Sequence, residues 1–214
     1  MKNFREFITE EISRDTQNMT ELLVDTVYSH YIDDHDKNSI ECVGWLDGNE
    51  NSLIRFQKIY ESGIGNNDSV LDVGCGVAHL HTYLTNQGWS GKYLGFDPNK
   101  KAIDLIDENI NTMCGTIDGL PDFMKFDWVI SSGVFNLGLK EEHTFWIIEN
   151  MISHANKGIV FNMLHAPYPD SNYEAYYPEQ IKHKLSVFDH SKIEIIEDYM
   201  PLNDAEFTVY FYKT

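Results

Sequence analysis

The stretch Val70-Leu71-Asp72-Val73-Gly74-Cys75-Gly76-Val77-Ala78 decides how this sequence is read. Its first four residues make a short apolar run of the kind that forms a buried strand, and Gly74-Cys75-Gly76 is a turn that only small residues permit. Behind it, Leu80, Tyr83 and Leu84 fall at helical spacing and Gly88 ends the run. The unit is therefore strand, glycine turn, helix, with the amides at the helix start left open to a ligand.

Outward from this unit strand and helix alternate. Lys92 to Phe96 reads as a second strand closed by Asp97-Pro98-Asn99, and Ala102, Ile103, Ile106 and Ile110 mark one face of a helix over 101–111. A weak strand near 111–115 follows, then the loop Asp118-Gly119-Leu120-Pro121, a strand over 126–131, a helix over 141–154 and a strand over 159–164. The strands at 192–199 and 206–212 are separated only by 200–205, which makes them an antiparallel hairpin. Seven strands in this order predict an α/β fold, a doubly wound sheet with helices on both faces, an antiparallel last strand and a ligand crevice at the strands' carboxyl ends.

Before the sheet lies a polar, helical extension. Thr20 reads as an N-cap, followed by Glu21, Leu22, Leu23, Val27 and Tyr31 at helical spacing. A second helix, from Ser52 to Ser62, carries Leu53, Phe56 and Ile59 on one face and stops at Gly63. Asp33, Asp34, His35 and Asp36 lack the spacing of a calcium loop and read as a solvated loop. The expected division is an extension over 1–65 and a core over 66–214.

With 214 residues, 42% of them hydrophobic and 13% aromatic, the chain suits one core plus an appendage rather than two domains or disorder. A net charge of −18 repels phosphodiester backbones and anionic headgroups, and the densest basic stretch, Lys182-His183-Lys184, is short. The expected partner is a small molecule, neutral or cationic, and neither nucleic acid nor membrane. Three widely spaced cysteines suggest no disulfide framework, Glu10 and Glu11 interrupt any leader-like apolar run, and no stretch approaches the ~18 apolar residues of a membrane span. The expected location is the cytoplasm.

The turn itself narrows the ligand. A dinucleotide fingerprint wants a small residue at position 79, where His79 stands, which counts against a nicotinamide cofactor. Asp72, two residues before the first glycine, puts negative charge beneath the ligand and suits a cation. Asp97, 25 residues further on, ends the second strand where a carboxylate can take both hydroxyls of a ribose.

On these residues the segment from about 68 to 214 resembles the class I S-adenosylmethionine-dependent methyltransferases of the Rossmann-like superfamily. The resemblance implies S-adenosyl-L-methionine as cofactor, with Asp72, Gly74, Cys75 and Gly76 around its methionine part and Asp97 and Pro98 at the ribose. It implies Asp118 and Gly119 in the adenine loop, and Ser131 and Ser132 at the strand end that faces the methyl group. The extension would act as a lid, with Arg55 pairing the methionine carboxylate and Trp45 lying against the acceptor. The third glycine of the family's turn is replaced by Ala78, and the Asn-Pro-Pro-Tyr signature of many base-methylating enzymes is missing after Ser131.

The implied activity is methyl transfer to a small-molecule acceptor by in-line displacement, which needs alignment and dryness more than a base. If a proton must leave, His165, after the fifth strand, is the expected helper. Asn136 either positions a polar acceptor or caps the next turn. Phe135, Tyr168 and Tyr176 are expected to line the acceptor pocket, and His79, His81 and His143 to serve as packing or surface residues. Two alternatives are a cofactor-binding module without turnover and an NAD-dependent oxidoreductase.

Overall fold

Apolar runs separated by helical stretches assemble into one sheet. The computed structural model describes residues 28–36, 39–43, 49–136, 139–167, 174–200 and 206–214. Its strands are β1 (Val70–Val73), β2 (Tyr93–Asp97), β3 (Thr112–Cys114), β4 (Phe126–Ser131), β5 (Ala155–His165), β6 (Ala175–Tyr176), β7 (Lys192–Ile196) and β8 (Glu206–Tyr212). They lie in the order β3-β2-β1-β4-β5-β8-β7, with β6 on β5. The first five pair in parallel, and β8 runs antiparallel to both β5 and β7.

The reversed last strand sits where the hairpin reading put it, but the sheet has one strand more than the seven expected. The addition is β6, parallel to the end of β5 and two residues long, too short to leave a period-two signature. β5 begins four residues before the expected Ile159, because Ala155 already pairs with Phe126.

Four helices follow the pattern, α1 (Asn49–Glu61), α2 (His79–Asn86), α3 (Lys100–Asp104) and α4 (Glu141–His154), and a fifth, α5 (Pro178–Leu185), stands where no helix was expected. Asn99 caps α3 by accepting Ala102 N–H at 3.1 Å. That helix is half the expected length. Asp107 Oδ1 accepts Asn109 N–H at 2.9 Å, and a side chain that offers the backbone such a local bond ends a helix. Residues 28–34 are also helical, so Asp33 and Asp34 belong to a helix rather than to the expected loop. The reading of Thr20 to Val27 lies outside the described residues.

Side chains alternate across the sheet and feed two cores. On one face Leu71, Val129, Phe161 and Val209 pack with Ile148 and Met151 of α4. On the other, Val70, Trp128, Val160 and Tyr210 pack with Phe56 and Ile59 of α1 and Leu80 and Leu84 of α2. Each fully buried aliphatic or aromatic side chain contributes about 1.5–3 kcal/mol. Among the described residues no helix is long and apolar enough to cross a membrane.

The glycine turn feeds α2 through Ala78, whose φ of 62° and ψ of 34° are left-handed. An L side chain costs about 1–2 kcal/mol there, of which the greater unfolded freedom of glycine cancels part. Ala78→Gly is therefore expected to stabilise the protein by about 1 kcal/mol, read as a rise of about 2–4 °C in the melting temperature.

Candidate functional site

The turn after β1 is tied to β2 before it can approach anything else. Gly74 and Cys75 N–H both donate to Phe96 O, at 2.7 and 2.9 Å. Gly74 has a φ of +75°, and a Cβ at that position would lie 2.1 Å from Val134 Cγ2. Conformation and space both demand glycine there. Gly76, at a φ of +54°, donates its N–H to Asp97 Oδ2 at 2.8 Å, while Asn99 N–H donates to Asp97 Oδ1 at 2.8 Å. One carboxylate thus clamps the turns after β1 and β2 together.

A cavity of about 1120 Å³, counting its open mouth, lies above these turns at the carboxyl ends of the strands. Its floor is Asp72 to Gly76, and one side is Asp97 to Asn99 with Gly115 to Ile117. Ser132 to Val134 form the facing wall, with His143, Trp146 and Ile147 of α4 beside them. Tyr28 and Ile32 from the helical stretch 28–34, Phe56 of α1 and His79 and Leu80 of α2 add to the lining. Asn99 Nδ2 donates to Ser29 Oγ at 3.4 Å and Lys101 pairs with Asp33 at 2.8 Å, which seats that stretch beside the β2 turn.

The electrostatics favour a cation. Asp72 is 2% exposed and accepts only a phenol, Tyr93 OH at 2.8 Å, among the hydrogen bonds seen in the described residues. Burial pushes its carboxyl up to about 7, with the neighbouring Asp97 charge adding to the rise. Burial also raises Asp97, to about 6, against the pull of its two backbone N–H donors. Buried carboxylates that cannot shed a proton cheaply are stabilised by a positive ligand. Ser132 Oγ, buried in the wall, has no hydrogen-bond partner among the described residues. Two under-neutralised acids and an unused hydroxyl around one cleft fit a sulfonium nucleoside with an amino-acid tail. Burial lowers both His79 and His143, so each imidazole is neutral at pH 7.

Of the residues singled out in the sequence, Asp72, Gly74, Cys75, Gly76, Asp97, Pro98 and Ser132 are brought together in this cleft. Asp118 and Gly119 fall just beyond it. The tight turn over 117–119 buries Ile117 and so turns Asp118 outward, where Thr116 Oγ1 donates to it at 2.5 Å. Ser131 is fully buried one residue below the cleft wall.

Arg55 is not free for a ligand carboxylate. Its guanidinium is committed to Glu206, Nε to Oε2 at 2.7 Å and Nη2 to Oε1 at 2.5 Å. Phe135 is 0% exposed and meets Phe161 edge to face, so it belongs to the core rather than to an acceptor pocket. Tyr176, 2% exposed, is likewise interior and donates its hydroxyl to Thr144 Oγ1 at 3.0 Å.

The two expected catalytic residues are also engaged elsewhere. Asn136 Oδ1 accepts Leu164 N–H at 3.2 Å, which pins its loop to β5. His165 stands at the end of β5, Nδ1 against Ala166 O at 2.8 Å and Nε2 3.3 Å from Glu197, outside the cleft lining. Trp45 and Tyr168 lie outside the described residues.

Residues passed over in the sequence take their place. His143, Trp146 and Ile147 occupy one face of the first turns of α4, and the His143 and Trp146 rings stack at 5.3 Å. Their i, i+3, i+4 spacing was the available signal. The cysteines divide by exposure: Cys75 is buried in the turn with its thiol raised well above the usual range by burial, whereas Cys114 is exposed at the end of β3, its Sγ 3.5 Å from Pro98 O.

Residues 70–158 match a family model described as a methyltransferase domain. In fold, the plantazolicin methyltransferase BpumL, solved with a triazolic desmethylPZN analog and SAH, aligns with a TM-score of 0.63 at 14% identity over 95% of this chain and 99% of its own. Magnesium protoporphyrin IX methyltransferase (ChlM) from Synechocystis PCC 6803, with bound SAH, gives 0.60 at 15% identity over 77% and 84%. The N-methyltransferase NodS from Bradyrhizobium japonicum WM9 gives 0.61 at 14% over 78% and 99%. No curated protein matches the sequence. The sheet order is thus that of the Rossmann-like methyltransferases. The family match over residues 70–158, its glycine turn included, places a methyltransferase-domain sequence on that fold.

The raised Asp72 fixes a pH signature. The folded state holds this proton more tightly than the unfolded chain, so the stability it contributes is complete below about pH 4 and lost as pH rises through about 7. Asp72→Asn keeps an acceptor for Tyr93 and removes the charge. It should stabilise the cofactor-free protein at pH 8 by on the order of 2–4 kcal/mol, seen as a higher melting temperature. The same variant should bind S-adenosylmethionine more weakly. Of the decline in affinity expected of the wild type on acidification, it should lose the part that begins near pH 7, up to about tenfold per unit, and keep the part due to Asp97 near pH 6, read by titration calorimetry.

Proposed function

We propose that the protein is a class I S-adenosylmethionine-dependent methyltransferase that, with S-adenosylmethionine as cofactor, methylates a small-molecule acceptor, not a nucleic acid, by in-line displacement. The observation that carries this reading is electrostatic: a chain of net charge −18 places two of its carboxylates inside its cleft. A polyanion would be repelled by the surface and by the site together, whereas a neutral or cationic acceptor would not. The neighbours named above include enzymes that act, by their titles, on magnesium protoporphyrin IX and plantazolicin, which supports the same reading.

The bound cofactor supplies an electrophilic methyl group on a sulfonium. What the chain contributes is placement and exclusion of water. Asp72 would face the cationic end, Asp97 the ribose, and the Ser132 hydroxyl the reacting end, while Tyr28, Ile32 and Phe56 cover the cleft with apolar surface. Asp97 presents the ribose with a carboxylate already fixed by two backbone donors. Residues 1–65 act in this reading as a lid on a core formed by 66–214, in a cytoplasmic enzyme. Displacement on a sulfonium needs no base, and where an acceptor must lose a proton the neutral imidazoles of His79 and His143 in the lining could accept it.

Incubating the purified protein with methyl-labelled S-adenosylmethionine and a cell extract separated by size tests this. Label is expected in the small-molecule fraction and absent from nucleic acid. Label in nucleic acid would overturn the acceptor class, and no transfer at all, with S-adenosylhomocysteine still raising the melting temperature, would indicate a binding module.

A further inference from the structure

A buried ion pair needs a reason in a fold that already has apolar cores on both faces of its sheet. Arg55 of α1 and Glu206 of β8 are 6% and 2% exposed, and such a pair seldom outweighs the hydration it gives up. Its third member supplies the reason. Asn162 of β5, 1% exposed, donates Nδ2 to Glu206 Oε2 at 3.0 Å. The other end of the same amide accepts Gly133 N–H at 2.9 Å. Gly133 lies in the cleft wall, and the next residue, Val134, rests against Gly74 of the cofactor turn.

We propose that Asn162 is a positioning residue for cofactor binding: its amide, oriented by the Arg55–Glu206 pair, sets the height of the Ser132–Val134 wall above the glycine turn. Polarity fixes the orientation of the amide. An amide has a donor end and an acceptor end of nearly equal shape. Toward a carboxylate only the donor end is favourable, since the flipped amide would set oxygen against oxygen and two N–H donors against Gly133 N–H. Glu206 in turn is held by the fork of Arg55. The charge pair therefore decides which end of Asn162 receives Gly133, and Gly133 is received at one height.

No slack remains to absorb an error. A methyl group at position 74 would already overlap Val134, and Leu164 N–H on Asn136 Oδ1 fastens the far end of the wall to β5. Among the described residues the ionisable groups around the amide are Glu206 and Arg55, with the phenols of Tyr199 and Tyr210 nearby. Burial raises both phenols far above neutrality, so neither titrates below about pH 9.

N162D separates positioning from packing. Its carboxyl can still receive Gly133 N–H, but it donates to Glu206 only when protonated, so acid should restore what alkali removes. The readout is affinity for S-adenosylhomocysteine by titration calorimetry, taken as a ratio to wild type at each pH so that titration of Asp72 and Asp97 cancels. For N162D the expected loss is about tenfold near pH 8.5, shrinking to about threefold or less near pH 5.5, the size of one charged hydrogen bond made or missing. N162L, which offers neither end, should be weaker by about tenfold at every pH, with its circular dichroism unchanged. If N162L does not fold, N162D alone decides. An N162D ratio that does not move with pH, or a folded N162L that binds within about twofold of wild type, would overturn the proposal. The test needs no acceptor, so it stands apart from the acceptor class.

Discussion

Asp97 is the fastening on which the cleft depends. Its two oxygens take the N–H of Gly76 and of Asn99, so one carboxylate at the end of β2 holds the turn after β1 and the cap of α3 in a fixed relation. Neither turn has another way to face the same space. Phe96 O receives the two amides just before them, and the opposing wall arrives through Val134 at a distance that leaves room for hydrogen alone on Gly74. An amide at position 97 would keep one acceptor and turn an NH2 against the second donor, so charge and symmetry are both needed there.

The same carboxylate is costly in the absence of a ligand. Asp72 feels the charge of Asp97, both are nearly out of water, and burial makes both retain protons more tightly than free carboxyls do. The site is therefore electrostatically incomplete until a cation arrives. In the proposed reading a cofactor whose sulfur is positive would gain from this floor, and its demethylated product, neutral at sulfur, would gain less.

How much of this was legible in the sequence follows from the range of the interactions. The strand–turn–helix unit, the reversed hairpin and the acid at the end of β2 are local patterns, and they stand in the structure where the pattern put them. The meeting of Asp72, Gly74, Gly76 and Asp97 in one cleft followed, because strand ends and turns a few residues long fix them. What the sequence concealed was partnership across long separations. Arg55 reads as a lone cation until Glu206, 151 residues away, is folded against it. Phe135 and Tyr176 read as pocket aromatics until the core claims them, and His143 reads as a surface residue until α4 turns its first two turns toward the cleft. β6 and the shortened α3 failed for a smaller reason, since two-residue strands and side-chain caps such as Asp107 leave no periodicity to detect.

The division between the cysteines gives the molecule a built-in reporter. Cys75 is sealed in the turn and its thiol resists ionisation, while Cys114 stands in solvent beside Pro98, on the flank of the nucleoside side of the cleft. A maleimide fluorophore would therefore attach at Cys114 in preference to Cys75, and its emission would register occupancy from outside the cavity without a reagent ever entering it.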